Sequence, residues 1–145
     1  MRIQPKMNID LKESSVTNAG TATAAIDTLG FKHLALLLTQ STSNNTTNKV
    51  SVCKLSESDT TDATNYSDIA AFVGGGAGGW TIPAASTTAT EKYQFHVNLL
   101  GRKRYIKLTV SPVTTQTFSL ASVLTTGEQP PVTAAGASVD AFVEG

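Results

Sequence analysis

The sequence predicts an all-β chain: an antiparallel β-sandwich, jelly-roll-like, with about seven or eight strands. Three observations lead there. Between Glu91 and Leu100, the apolar Tyr93, Phe95, Val97 and Leu99 alternate with Lys92, Gln94, His96 and Asn98, the period of a strand with one buried and one wet face. Other short apolar runs are separated by clusters of Gly, Ser, Thr and Asn. The 145 residues suit one domain, a length at which roughly 70% of the unfolded surface is buried.

The elements follow in order. Residues 1–25 read as an N-terminal arm or edge strand, with Met7, Ile9 and Leu11 in weak alternation. Residues 26–126 form the sandwich domain. Within it, residues 31–40 carry apolar groups on both faces, as a central strand does, and residues 49–56 supply a second strand with Cys53 and Leu55 in or near the core. The Thr- and Asn-rich segment between them predicts a hairpin. Tyr66 to Val73 is a further strand, and Gly74 to Gly79 predicts a mobile loop, because glycine costs backbone entropy to order. Trp80-Thr81-Ile82-Pro83 reads as a short edge strand, where proline is tolerated. Glu91–Leu100 and Gly101–Val110 are two strands meeting at a basic turn, and a last strand runs from Thr117 through Leu124. Residues 127–145 form an extended C-terminal tail, opened by Pro130 and Pro131 and lacking the apolar mass to fold alone.

Composition narrows the function. Eleven acidic and eleven basic residues cancel, and only 15% of residues are charged. Such a surface is poorly suited to sequence-independent nucleic-acid binding, which needs many Lys and Arg to neutralise phosphates. Cys53 is the only cysteine, so no disulfide forms within the chain. The first residues lack the apolar core of a secretory signal, and no apolar run approaches the roughly 18 residues that span a bilayer. Folding in a cytoplasm, with no membrane partner, is the expectation.

No catalytic, cofactor or metal site emerges. His33 and His96 fall on different strands without an HxH or HxxxH partner, whereas a metal site needs three or four convergent ligands. No Gly-x-Ser-x-Gly elbow supports a hydrolase. Neither Lys-Ser nor Lys-Thr follows the glycine loop, so it is not a phosphate cradle. Glu57, Asp59, Asp62 and Asp68 do not have EF-hand spacing.

The block Gly101-Arg102-Lys103-Arg104-Tyr105-Ile106-Lys107-Leu108-Thr109-Val110, preceded by its alternating aromatic strand, resembles small virion proteins of tailed bacteriophages, the head decoration or cement proteins. Glu57-Ser58-Asp59 with Tyr66-Ser67-Asp68-Ile69 is similar to a second stretch of that family. The chain departs from the family pattern at Leu124-Thr125-Thr126-Gly127 and in the glycine loop. The resemblance covers residues 31–132 loosely. It implies a jelly-roll-like structural virion protein on the capsid exterior, assembled in the host cytoplasm. Its partners would be the major capsid protein and further copies of itself, as a dimer or trimer. It implies no enzyme activity and no cofactor.

Two features are candidate protein interfaces. Four acids and no bases lie from 57 to 68, while four bases and no acids, Arg102, Lys103, Arg104 and Lys107, lie from 102 to 107. This segregation would join one copy to its neighbour or to an oppositely charged capsid surface. The tail, with Pro130, Pro131, Val132, Val139, Phe142 and Val143, would lie as an arm across a neighbouring subunit. The alternatives are a carbohydrate or host-surface binding module using Trp80 and Tyr66, and a tail or head-completion protein of the same virion.

Overall fold

The computed structural model describes residues 6–8, 14–43, 45–47, 49–126 and 139–145. They form ten strands: β1 (Lys6–Asn8), β2 (Ser14–Val16), β3 (Ala22–Asp27), β4 (His33–Gln40), β5 (Val50–Ser58), β6 (Ser67–Val73), β7 (Glu91–Asn98), β8 (Tyr105–Pro112), β9 (Gln116–Thr125) and β10 (Ala141–Glu144). One 3-10 turn at Ala63–Asn65 interrupts the β5–β6 connection.

The first sheet runs β1-β9-β4-β7-β10, with β2 also on β9, and the second runs β3-β8-β5-β6. Taken from β2 to β9, the chain changes sheet at every connection except β5–β6, giving the orders β2-β9-β4-β7 and β3-β8-β5-β6. That is the eight-strand double Greek key of a jelly roll. Every pairing within those eight strands is antiparallel.

Alternation builds the core. Tyr93, Phe95 and Val97 of β7 meet Leu34, Leu36 and Leu38 of β4 and Phe118, Leu120 and Leu124 of β9. Opposite them lie Cys53, Leu55, Ile106, Leu108, Val110, Ile69 and Phe72. The phase change in residues 49–56 has a structural cause. A register shift between Val50 and Val52 is a β-bulge, so Val50 and Cys53 are both buried although three residues apart. Tyr93 donates its hydroxyl proton to Gln40 Oε1 at 2.9 Å, which satisfies the one phenol at the centre of the core.

Several expectations are corrected. β4 and β5 are not a hairpin: β4 lies between β9 and β7, and β5 lies in the other sheet between β8 and β6. β7 and β8 likewise belong to different sheets, and the strand beyond the basic turn starts at Tyr105. The sandwich extends beyond 26–126, because residues 22–25 fall within β3 and residues 141–144 form β10 beside β7.

The glycine segment is a folded turn. Gly74 N–H donates to Cys53 O at 2.9 Å, Gly75 N–H to Trp80 O at 2.8 Å and Gly79 N–H to Gly76 O at 3.1 Å. Gly79 is so close to the Val73 carbonyl that a Cβ would collide with it. Trp80 contributes only a single bridge, to Gly74, and the residues after it are not a strand.

A candidate docking face at one end of the sandwich

A jelly roll gathers alternate connections at one end, and here these are β3–β4, β5–β6 and β7–β8. β3 neighbours β8 and β4 neighbours β7, so the β3–β4 and β7–β8 loops cross from sheet to sheet side by side. They are tied together. The Thr28 N–H and hydroxyl both donate to Arg104 O, at 2.9 and 2.6 Å, and Leu99 N–H donates to Lys32 O at 2.8 Å. Each loop reverses at a glycine of positive φ, Gly30 at 85° and Gly101 at 79°, a conformation costly for any other residue type. The residue before each glycine is a leucine pushed into solvent, Leu29 at 66% and Leu100 at 63% exposure.

The acidic and basic segments meet here within one molecule. Arg104 grips Asp27 with two bonds, Nε to Oδ1 at 3.0 Å and Nη2 to Oδ2 at 2.7 Å, and its guanidinium carbon lies 4.9 Å from the Tyr105 ring centre. Glu57 accepts from the Lys103 N–H at 3.2 Å and stands 3.8 Å from Arg102. Asp59 accepts from the Arg104 N–H at 3.5 Å. Lys107 places its ammonium 3.8 Å from the Tyr66 ring centre, and Lys54 pairs with Asp68 at 2.8 Å. Arg102, Arg104 and Lys54 thus pair with carboxylates of the same chain that lie far from Arg102 and Arg104 in sequence, so the two charged segments are not held out as fully separate patches. Exposed pairs of this kind stabilise a fold little and serve mainly to set loop geometry.

Asp62 is also accounted for. Its Oδ1 accepts from both the N–H and the hydroxyl of Thr64, at 3.0 and 2.9 Å, and these bonds hold its carboxyl below the usual range. Among the described residues no group of three or more His, Cys, Asp or Glu is placed to hold a metal.

The same end holds a recess that the sequence did not reveal. It is lined by Lys32, His33, His96, Asn98, Leu100 and Glu144, with Gly145. His33 and His96 are 8% and 5% exposed, although His96 lies on the strand face expected to be wet. Pairing of β10 along β7 covers it: Glu144 is the register partner of His96. Gln94 Nε2 lies 2.9 Å from His96 Nε2, and His33 Nδ1 is buried with no hydrogen-bond partner among the described residues. Burial pushes both imidazoles below their ordinary pKa. Charge on His96 lowers His33 further, and Glu144 opposes the shift at both. The two histidines belong to different strands, so only the β4–β7 pairing could have brought them together.

The remaining candidates separate. Pro130, Pro131 and Val132 lie outside the described residues. Phe142 pairs through its backbone with Gln94, and Val143 is buried in the chain's own core at 7% exposure. Trp80 and Tyr66, the residues a sugar-binding module would present, are both engaged. Trp80 donates from Nε1 to Phe72 O at 3.4 Å and packs on Phe95 and Tyr93, with ring centres 5.4 and 5.8 Å away. Tyr66 lies against Lys107. No helix among the described residues is long and apolar enough to cross a membrane. In comparisons with known proteins, no family model and no curated protein sequence matches this chain.

Proposed function

We propose that this chain is a structural virion protein that binds the outer surface of a tailed-phage capsid and stabilises it by bridging major capsid protein subunits. The fold suits the resemblance carried by Gly101 to Val110, but a jelly roll hosts many functions and decides nothing alone. The observation that carries the reading is the loop end. Leu29 and Leu100 project from paired loops in which Arg102 and Arg104 are already paired with Glu57 and Asp27, so these two guanidinium groups need no partner from a protein surface pressed against the leucines. Many copies that bind the assembled shell, and not its dissociated subunits, stabilise it by mass action. The protein makes and breaks no bonds in this role.

Co-sedimentation with purified heads tests it. Wild-type protein is expected to saturate heads at hundreds of copies, an order of magnitude set by shell symmetry. The double variant Leu29→Asp, Leu100→Asp should remain folded and bind at least about tenfold more weakly, the effect of losing central apolar anchors. Heads that take up none of the wild-type protein would refute the reading. A count of about a dozen per particle would instead indicate a head-completion or tail role, from closed-ring symmetry.

A further inference from the structure

The last strand lies outside an already complete fold. Sheets β2-β9-β4-β7 and β3-β8-β5-β6 hold the eight jelly-roll strands, and β10 is added in parallel to the outer edge of β7. Its seat fits closely. At one end the Asp140 N–H donates to Lys92 O at 2.8 Å, and Asp140 Oδ2 accepts from Lys92 N–H at 2.6 Å. At the other, Asn98 N–H donates to Gly145 O at 2.9 Å and Gly145 N–H to His96 O at 3.2 Å. Val143 is buried between them. A Cβ on Gly145 would stand 2.9 Å from the Phe72 ring and 3.1 Å from Ala71, so the slot admits little more than backbone there.

The route into that seat is long. β9 and β10 run the same way with β4 and β7 between them, so the chain leaving Thr125 must return along the sheet before it can pair. Thr125 is level with His33 and Asn98, whereas Ala141 is level with Tyr93. Three strand spacings and about five residues of strand make a straight path of roughly 22 Å. Residues 127–138 could reach about 40 Å if fully extended. The chain between the two strands is therefore longer than the straight path by about 18 Å.

We infer that the seat along β7 accepts residues 139–145 of a second copy, so that neighbouring molecules are linked by exchanged β10 strands. Each backbone bond and the Val143 contact is the same in the exchanged form; only the connectivity changes. Crowding of copies favours the exchange, and for that crowding the inference rests on the virion reading, although the seat itself does not.

Disulfide trapping tests it, using the register partners His96 and Glu144. The variants His96→Cys and Glu144→Cys are prepared separately, refolded together at high concentration and mildly oxidised. A band at twice the chain mass on a non-reducing gel, absent when either variant is oxidised alone, is the expected result. A mixture that stays monomeric, while the double variant His96→Cys, Glu144→Cys closes its bond within one chain, overturns the exchange. No capsid enters this assay, so its failure is distinguishable from a failure of head binding.

Discussion

His33 on β4 and His96 on β7 lie ring to ring at the edge of the last strand, with centroids 5.0 Å apart and planes tilted by 49°. Around them stand Lys32 and Glu144, and burial is the larger cause of the lowered pKa at each. The folded chain therefore holds fewer protons on these groups than the unfolded chain does. Their contribution to stability is complete above about pH 6.5 and is lost as pH falls through that value toward the lower folded pKa values.

The pH dependence follows. Tm should fall between about pH 7 and 5, the range below the reference imidazole pKa, and the double variant His33→Gln, His96→Gln should flatten that fall. Glu144→Gln should steepen it, since the carboxylate raises both imidazoles. Glu91 acts with opposite sign: burial raises its pKa, so stability from that group declines as pH rises through its folded value. Thermal melts across pH for wild type and these two variants separate the histidine and Glu144 contributions. Identical pH profiles for wild type and the double histidine variant would refute the assignment.

Charge reversal at the loop end now carries a different expectation from the one the sequence suggested. Arg102 and Arg104 pair with Glu57 and Asp27 of the same molecule, and the backbone N–H groups of Lys103 and Arg104 donate to Glu57 and Asp59. Replacing all three with Glu should lower Tm at low salt, and the deficit should shrink near 1 M NaCl, where the screening length is about 3 Å. A Tm unchanged at low salt would mean that the pairs do not form in solution.

The glycine turn makes a graded prediction. Gly79→Ala forces a Cβ into the Val73 carbonyl and should cost about 2–3 kcal/mol, as overpacking does. Gly78→Ala meets nothing within 4 Å but sits at a φ of 75°, and should cost about 1–2 kcal/mol. Urea unfolding midpoints rank the two. Equal and negligible effects would return the loop to the mobile state that its composition suggested.

Cys53 should be inert. Its thiol is 1% exposed, and burial pushes its pKa up to about 12. Thiol reagents at pH 8 should label the native protein at least about a hundredfold more slowly than the urea-unfolded protein, since the thiolate is the reactive form. Rapid labelling of native protein would place β5 at a mobile edge.

Local side-chain period determined much of this protein. The inward row of Tyr93, Phe95, Val97 and Leu99, the strands within 31–40 and 117–124, and the all-β class were legible, because alternation is a property of a few adjacent residues. β3 escaped notice because Ala22-Thr23-Ala24-Ala25 offers no contrast between faces. The charge segregation was visible, but its meaning was not. Only the tertiary structure decided that Arg104 meets Asp27, that His33 meets His96, that β4 pairs with β7 and β9 instead of β5, and that residues 141–144 join the sheet. Partner choice depends on how all the connections close together around one core, and no short window of sequence carries that information.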